Sequence, residues 1–368
     1  MKITSFKLDN QTKDWHLEET AFDNFNLLVG ISGVGKTRIL KTLQQVCQVA
    51  THDRLLQEVV DWNWKIGFVH ASQEYEWALK TSKDSIEPAI IYEKIIKKVA
   101  GQNRVVLERS ETTNQLDGQN LPKLINTQSA IYLLGAENSI APIYSGFKRR
   151  LTFTDTRQAG EMAHPEKLLE KFKPRQEVGL EKFKESVTPL PTLTKAYLLQ
   201  AFYQEEWHQI SQEFNHIFPS VTEIKVSFTQ RTEGFMYFFN IKENNQWISQ
   251  PQMSFGMFHT LVYLIDISLA PRDSVIVIDE FENSLGINCM PELTDFIISK
   301  APLMQFILTS HHPYIINNIP WKTWQLVTRK GGYVRVTNAT QIPHLQTASS
   351  MEKFIQLINL PEYEEGIL

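Results

Sequence analysis

The sequence predicts an α/β fold in which a parallel sheet carries an antiparallel subsheet and an inserted helical lobe. Three observations point there. A glycine-rich turn, GISGVGKT at 30–37, lies between an apolar strand run and apolar residues at helical spacing. Two short runs, SVIVIDE and MQFILTS, are almost wholly apolar, as strands buried on both faces must be. From about residue 64 to 113, the patches IGFV, EYEWAL, AIIYEKII and RVVLERS are separated by Ser, Lys, Asp, Gly and Asn, as in an antiparallel subsheet.

In chain order, Ile3, Phe6 and Leu8, then Trp15, Leu17 and Ala21, alternate as two short strands turned by Asn10 and Asp14. FNLLVG is a buried strand ending in glycine, and from Thr37 the residues Ile39, Leu40, Leu43 and Val46 mark a helix. Residues 115–126 read as a loop, and a helix begins at about Ser129. Glu161 to Glu185 mixes both charges with prolines and reads as a linker or mobile loop. One long helix then places Tyr197, Leu198, Ala201, Phe202, Ile210, Phe214 and Ile217 on one face and ends at Pro219. EIKVSF and GFMYFFNI are strands, Met257 to Leu269 a helix, WQLVT and YVRVT a hairpin, and Met351 to Leu357 a last helix. The expected units are 1–130, the first part of the core; 131–220, the helical lobe; 221–345, the second part of the core; and 346–368, a helix and tail.

Of 368 residues, 42% are hydrophobic and 21% charged, enough to bury a sizeable core, which excludes disorder as the main state. A net charge of -4 argues against a uniformly basic nucleic-acid coat protein. Cys47 and Cys289 are the two cysteines, so there is no disulfide framework, and the chain is expected to be cytoplasmic. With no apolar run near 18 residues, membrane insertion is not expected.

Residues 30–37 match G-x-x-x-x-G-K-[ST] in the strand–loop–helix context that pattern needs. Gly30, Ser32, Gly33, Val34 and Gly35 shape a loop whose N–H groups cradle phosphates, with Lys36 neutralising the β and γ phosphates of ATP and Thr37 offering its hydroxyl to Mg2+. Asp279 and Glu280 follow an apolar strand at the edge where α/β ligands bind. There Asp279 can hold the metal's water shell and Glu280 can act as base. Lys36 and Asp279 lie 243 residues apart, so a large segment is inserted between the two motifs. Trp62, Trp64 and Trp77 read as core packing, Lys148 to Arg150 as a solvated basic face, and Trp15 or Phe22 as a stacking partner for adenine.

MSFGMFHT (253–260), 25 residues before Asp279, resembles the signature motif of ABC-type ATPases, with Ser254 and Gly256 at its Ser and second-Gly positions. ENSLG after the acidic pair resembles the D-loop region, and LTSHHP the switch-histidine strand. In this order the motifs resemble the ABC ATPase superfamily, in its soluble branch of SMC, RecF and overcoming-lysogenization-defect (OLD) heads, and within it the stand-alone ATPases of anti-phage systems such as Septu and PARIS. The chain departs from the pattern at Met253 and Phe255 in the signature, at His259, and at Leu285, Gly286 and Ile287 where relatives often read Leu-His-Pro.

The resemblance implies a P-loop NTPase head of ABC type. In such a head Ser254 and Gly256 contact the γ-phosphate of ATP on a second subunit, while His311, or its neighbour His312, contacts it in its own. It also implies a Q-loop glutamine near metal and water, for which Gln128 is the candidate and Gln115 and Gln119 are rivals. One P-loop and one signature per chain imply an ATP-dependent homodimer or larger assembly. The implied function is an ATPase regulating an effector in trans, a nuclease in phage defence, since about 55 residues after His311 are too few for the nuclease domain of OLD-type proteins. The alternative is a RecF-like repair ATPase that contacts DNA, and a transporter ATPase ranks third.

Overall fold

The computed structural model describes the chain except for residues 54–58, 84–87, 100–101, 155–160, 174–178, 233, 346–349, 365 and 367–368. Its centre is a parallel set of strands in the order Leu151–Phe153, Val275–Ile278, Gln305–Thr309, Phe25–Val29 and Trp324–Lys330. Apolar residues on both parities explain their burial. Leu28, Val275, Val277 and Ile307 join the core on one face, while Leu27, Val29, Ile276, Ile278, Phe306 and Leu308 join the core on the other.

The same sheet continues through Tyr333–Asn338, Trp15–Ala21 and Lys2–Asn10 into the expected antiparallel meander, Trp62–His70, Gln73–Thr81, Ile90–Val99 and Gln102–Arg109. Gln305 stitches the N-terminal strand to the core, its side chain accepting from Ile3 N–H (2.8 Å) and donating to the Ile3 carbonyl (2.7 Å). Trp62, Trp64 and Trp77 are buried in edge-on contact, so their role is packing. Residues 115–126 are not wholly a loop, because Asn114–Leu116 and Gln119–Asn120 extend the sheet by a short hairpin turned through Asp117 and Gly118, both at positive φ.

The P-loop helix Lys36–Val49 lies against the face shared with the meander. The opposite face is covered by Thr192–Phe202, Gln204–Ile217, Phe255–Ser268 and Met290–Lys300. The single long helix expected before Pro219 is two, because the chain breaks at Tyr203 (φ -134°, ψ 69°). Thr192–Phe202 is buried around most of its circumference, so Ala201 of the expected stripe is exposed while Ala196 and Leu199 are enclosed. Residues 161–185 also differ from the expected linker. Glu161–Ala163 pairs with Gly234–Glu243, helices Pro165–Phe172 and Leu180–Val187 follow, and Phe183 is 2% exposed; 174–178 lie outside the described residues. Within 131–220 the chain thus supplies strands to both sheets as well as helices. The second sheet pairs Val221–Arg231 with Gly234–Glu243 and adds Gln246–Ser249.

Candidate functional site

All parallel strands end on one edge of the sheet, and the loops that leave it there carry the chemistry. The loop after Phe25–Val29 needs its glycines. Gly30 (φ 149°) backs onto the Val327 carbonyl, where a Cβ would come within 2.6 Å, and Gly35 (φ 109°) lies on the ring of Trp15. Trp15 is 1% exposed and Phe22 is 4% exposed, so neither is free to stack on a base. Trp15 instead floors the loop and carries the Arg38 guanidinium on its ring at 4.1 Å.

Lys36 opens the helix with its ammonium folded into the loop, donating to the Gly30 carbonyl (2.6 Å) and the Ile31 carbonyl (2.9 Å). Its pKa is lowered to about 8, first by burial; Glu282, Asp279 and Glu280 oppose the shift. Thr37 donates to Asp279 Oδ1 at 3.0 Å, and Thr309, from the neighbouring strand, donates to the same oxygen at 2.7 Å. Thr309 Oγ1 also accepts from the Glu280 N–H at 2.6 Å, so one hydroxyl fixes both members of the acidic pair. Glu280 itself has φ 48° and is exposed at the edge.

Glu282 and Thr309 were not singled out in the sequence. Glu282 Oε1 accepts from the His311 N–H at 2.6 Å, while its Oε2 is buried without a hydrogen-bond partner among the described residues. A carboxylate two residues past Glu280 was the available signal. Burial, then the Lys36 charge, lowers the His311 pKa, with Glu282, Glu280 and Asp279 opposing, so His311 belongs to the cluster. His312 is engaged elsewhere, since its Nδ1 accepts from Tyr314 N–H (3.2 Å) and caps helix Pro313–Asn318.

Ser254 is exposed and caps the helix that follows it, accepting from Met257 N–H at 3.2 Å. Gly256 packs on the loop after the acidic pair, with Ser284 O at 3.1 Å from where a Cβ would stand. His259, 4% exposed, holds that loop through Asn283 O at 2.9 Å. Phe255 (59% exposed) and Ile287 (85% exposed) flank this contact in solvent. The signature-like segment is therefore tied to Asp279 through one short loop, yet Ser254 presents outward.

Gln128 is not brought to this cluster. Its amide donates to the Asp53 carbonyl, beyond the far end of the 14-residue P-loop helix, a helix about 21 Å long, and Arg109 holds its own carbonyl at 3.1 Å. Gln115 and Gln119 lie on the outermost hairpin of the sheet. The strand beside Asp279's own is Leu151–Phe153, whose register carries Thr154 to that edge. In the basic cluster, Arg150 pairs with Glu185, and Lys148 donates to the Tyr144 hydroxyl at 3.0 Å.

The donor set suits a nucleotide with Mg2+. Lys36 and the positive-φ glycines face an anion, and Thr37 with Asp279 gives the hydroxyl and single carboxylate that Mg2+ takes from protein when phosphates and waters complete its shell. Among the described residues no group of three or more His, Cys, Asp or Glu forms a denser metal site. No described helix is long and apolar enough to cross a membrane.

A family model described as "AAA domain, putative AbiEii toxin, Type IV TA system" matches residues 106–317, more than half of the 368 residues. The match takes in Ser254, Asp279, Glu280 and His311 and stops short of the loop at 30–37. Among solved structures, the chain is similar to an SmcHead bound to the C-winged helix domain of ScpA, at 11% identity and TM-score 0.52, over 92% of this chain and 97% of that one. It is also matched by an Smc head domain with an extended coiled coil from Pyrococcus furiosus, bound to the C-terminal domain of ScpA, at 13% identity and TM-score 0.49, over 97% and 98%. The first of these shows the fold, that of a P-loop NTPase head. No curated protein matches the chain.

Proposed function

This chain belongs to the AAA-domain family whose model it matches, and from that premise we propose that it binds ATP with Mg2+, hydrolyses it between two copies of itself, and thereby regulates a partner effector in anti-phage defence. The observation that carries the reading is the meeting of Lys36, Thr37, Asp279, Glu280 and His311 at one sheet edge from loops up to 242 residues apart. The loop N–H groups and Lys36 hold the phosphates, Thr37 and Asp279 hold the metal, and Glu280 takes a proton from the attacking water. Mg2+ when bound supplies charge neutralisation of the phosphate oxygens. His311 is placed beside Lys36 to sense the terminal phosphate, and Asp279 and Glu280 are fixed to each other by Thr309, so their relative aim is set before ligand arrives. For the glutamine that senses metal and water, topology favours Gln158, which follows the strand beside Asp279's and lies outside the described residues, over Gln128.

The effector in trans, a nuclease, and the phage-defence role rest on the family description and on the resemblance to stand-alone defence ATPases. We read the exposed Ser254, with Phe255 and Ile287 beside it, as the surface that closes on the other copy's nucleotide. Ser254→Arg is expected to leave ATP binding by the monomer intact but to prevent ATP-driven dimerisation, because a guanidinium replaces a hydroxyl in a confined phosphate interface. Mixing Ser254→Arg with Lys36→Ala chains should restore hydrolysis at one composite site per heterodimer, with neither variant active alone. Light scattering and phosphate release check this, and a Ser254→Arg protein that dimerises and turns over normally overturns the shared site.

A pH dependence follows from Lys36. With its free-state pKa at about 8, the ammonium loses its proton as pH rises through that value, while bound phosphate holds it charged. ATP affinity is therefore expected to fall above pH 8, with proton uptake on binding there. Calorimetry in buffers of different ionisation heat reads the uptake, and a flat affinity from pH 7 to 9.5 contradicts the placement of Lys36 at the phosphates.

A further inference from the structure

A cleft of about 790 Å3 lies away from the P-loop, along Leu151–Phe153, the outermost strand of the large sheet. Its size is that of a small-molecule site. Three elements of the nucleotide head wall it. Gln48, Thr51 and His52 come from the C-terminal end of the P-loop helix and the turn after it; Phe258 and Val262 come from the helix that Ser254 caps; Thr152 and Phe153 come from the strand beside Asp279's. A molecule lodged there touches both the helix that begins at Lys36 and the helix that begins after Ser254.

The inner wall holds a charge pair that packing does not explain. Lys195 Nζ meets Asp266 Oδ1 at 2.9 Å, Thr192 Oγ1 lies 3.1 Å from both carboxylate oxygens, and Lys195 and Asp266 are 4% and 2% exposed. Removing such ions from water is expensive, and a pair of this kind contributes little net stability against apolar side chains of equal volume. Asp266 is served by two donors, whereas an ammonium has three donors and Lys195 spends one on Asp266 among the described residues. Lys148 adds a second cation to the cleft wall, and Phe147, Pro189 and Pro191 make much of the remaining surface apolar. An ammonium is a compact point charge suited to phosphate, and aromatic and proline faces suit a planar or apolar body.

We propose that this cleft is a second ligand site, for a small molecule that carries a phosphate on a planar or apolar body, with Lys195 as its anion contact. It stands apart from the ATP site and does not depend on how that site works.

The test uses the full chain carrying Lys36→Ala, so that the P-loop does not compete, with AMP and inorganic pyrophosphate as probes in equilibrium calorimetry. AMP is expected to bind at one site per chain and to weaken at least about tenfold in Lys195→Gln/Asp266→Asn, the loss of a charge-assisted contact. That double change keeps volume and a hydrogen bond while removing both charges. Lys148→Glu, an exposed change that the fold tolerates, is expected to weaken AMP several-fold and serves if the buried pair variant does not fold. AMP should bind more tightly than pyrophosphate if the apolar walls take the body. Absence of saturable binding of either probe at millimolar concentration overturns the proposal, as does AMP binding equal to the parent's in both the pair variant and Lys148→Glu.

Discussion

Lys36→Ala is expected to abolish ATP binding while leaving the fold intact. The ammonium is buried in the loop between two backbone carbonyls, and its depressed pKa records that the free protein holds this charge at a cost set by burial. A bound phosphate relieves that cost, so the interaction is strongest where the variant removes it. With charge-assisted hydrogen bonds contributing about 1.5–3 kcal/mol each, loss of contacts to two phosphates weakens binding by more than about a hundredfold. The free variant loses a penalised charge, and its melting temperature should be no lower than the parent's. Labelled ATP binding with parental affinity in Lys36→Ala would remove the P-loop assignment.

Glu280→Gln is expected to keep ATP binding and slow hydrolysis by about two to four powers of ten, the range for losing a positioned base. ATP-bound dimer should then accumulate. Glu282 is the rival carboxylate in the cluster, but it is committed through Oε1 to the His311 N–H, whereas Glu280 is exposed at the strand edge with only its backbone N–H tied down. Glu282→Gln should therefore act on His311 positioning and change turnover far less. Phosphate release by the two variants decides the order, and a full rate in Glu280→Gln moves the base to another residue.

What was legible in the sequence was what local pattern dictates. Val275–Ile278 and Gln305–Thr309 are apolar at every parity because helices cover both faces, and that signal has no other common source. The turn at 30–37 and the acidic pair were readable because glycines and carboxylates mark places where backbone and charge must face a ligand. Less legible were contacts between distant segments. Trp15 resembles an exposed aromatic in a hairpin until the fold sets it beneath Gly35, and Gln128 resembles a site glutamine until Arg109 and Asp53 hold it at the wrong end of a helix. The break at Tyr203 hid because Thr192–Phe202 is apolar on most sides, so the helical stripe runs on smoothly in sequence. Thr309 was invisible as a hub because a threonine ending a strand is ordinary; its meaning comes from Asp279 on the next strand.

Glu280 sits in the left-handed region at φ 48°, which a residue with a Cβ adopts at a disadvantage of about 1 kcal/mol and glycine adopts freely. Position 280 thus sets heat resistance against chemistry. Breeding this chain for survival at high temperature, with no demand on turnover, would enrich glycine there and yield a sturdier protein that grips its nucleotide and does nothing with it. Any thermostabilised descendant should be sequenced at this codon before its inertness is blamed on rigidity.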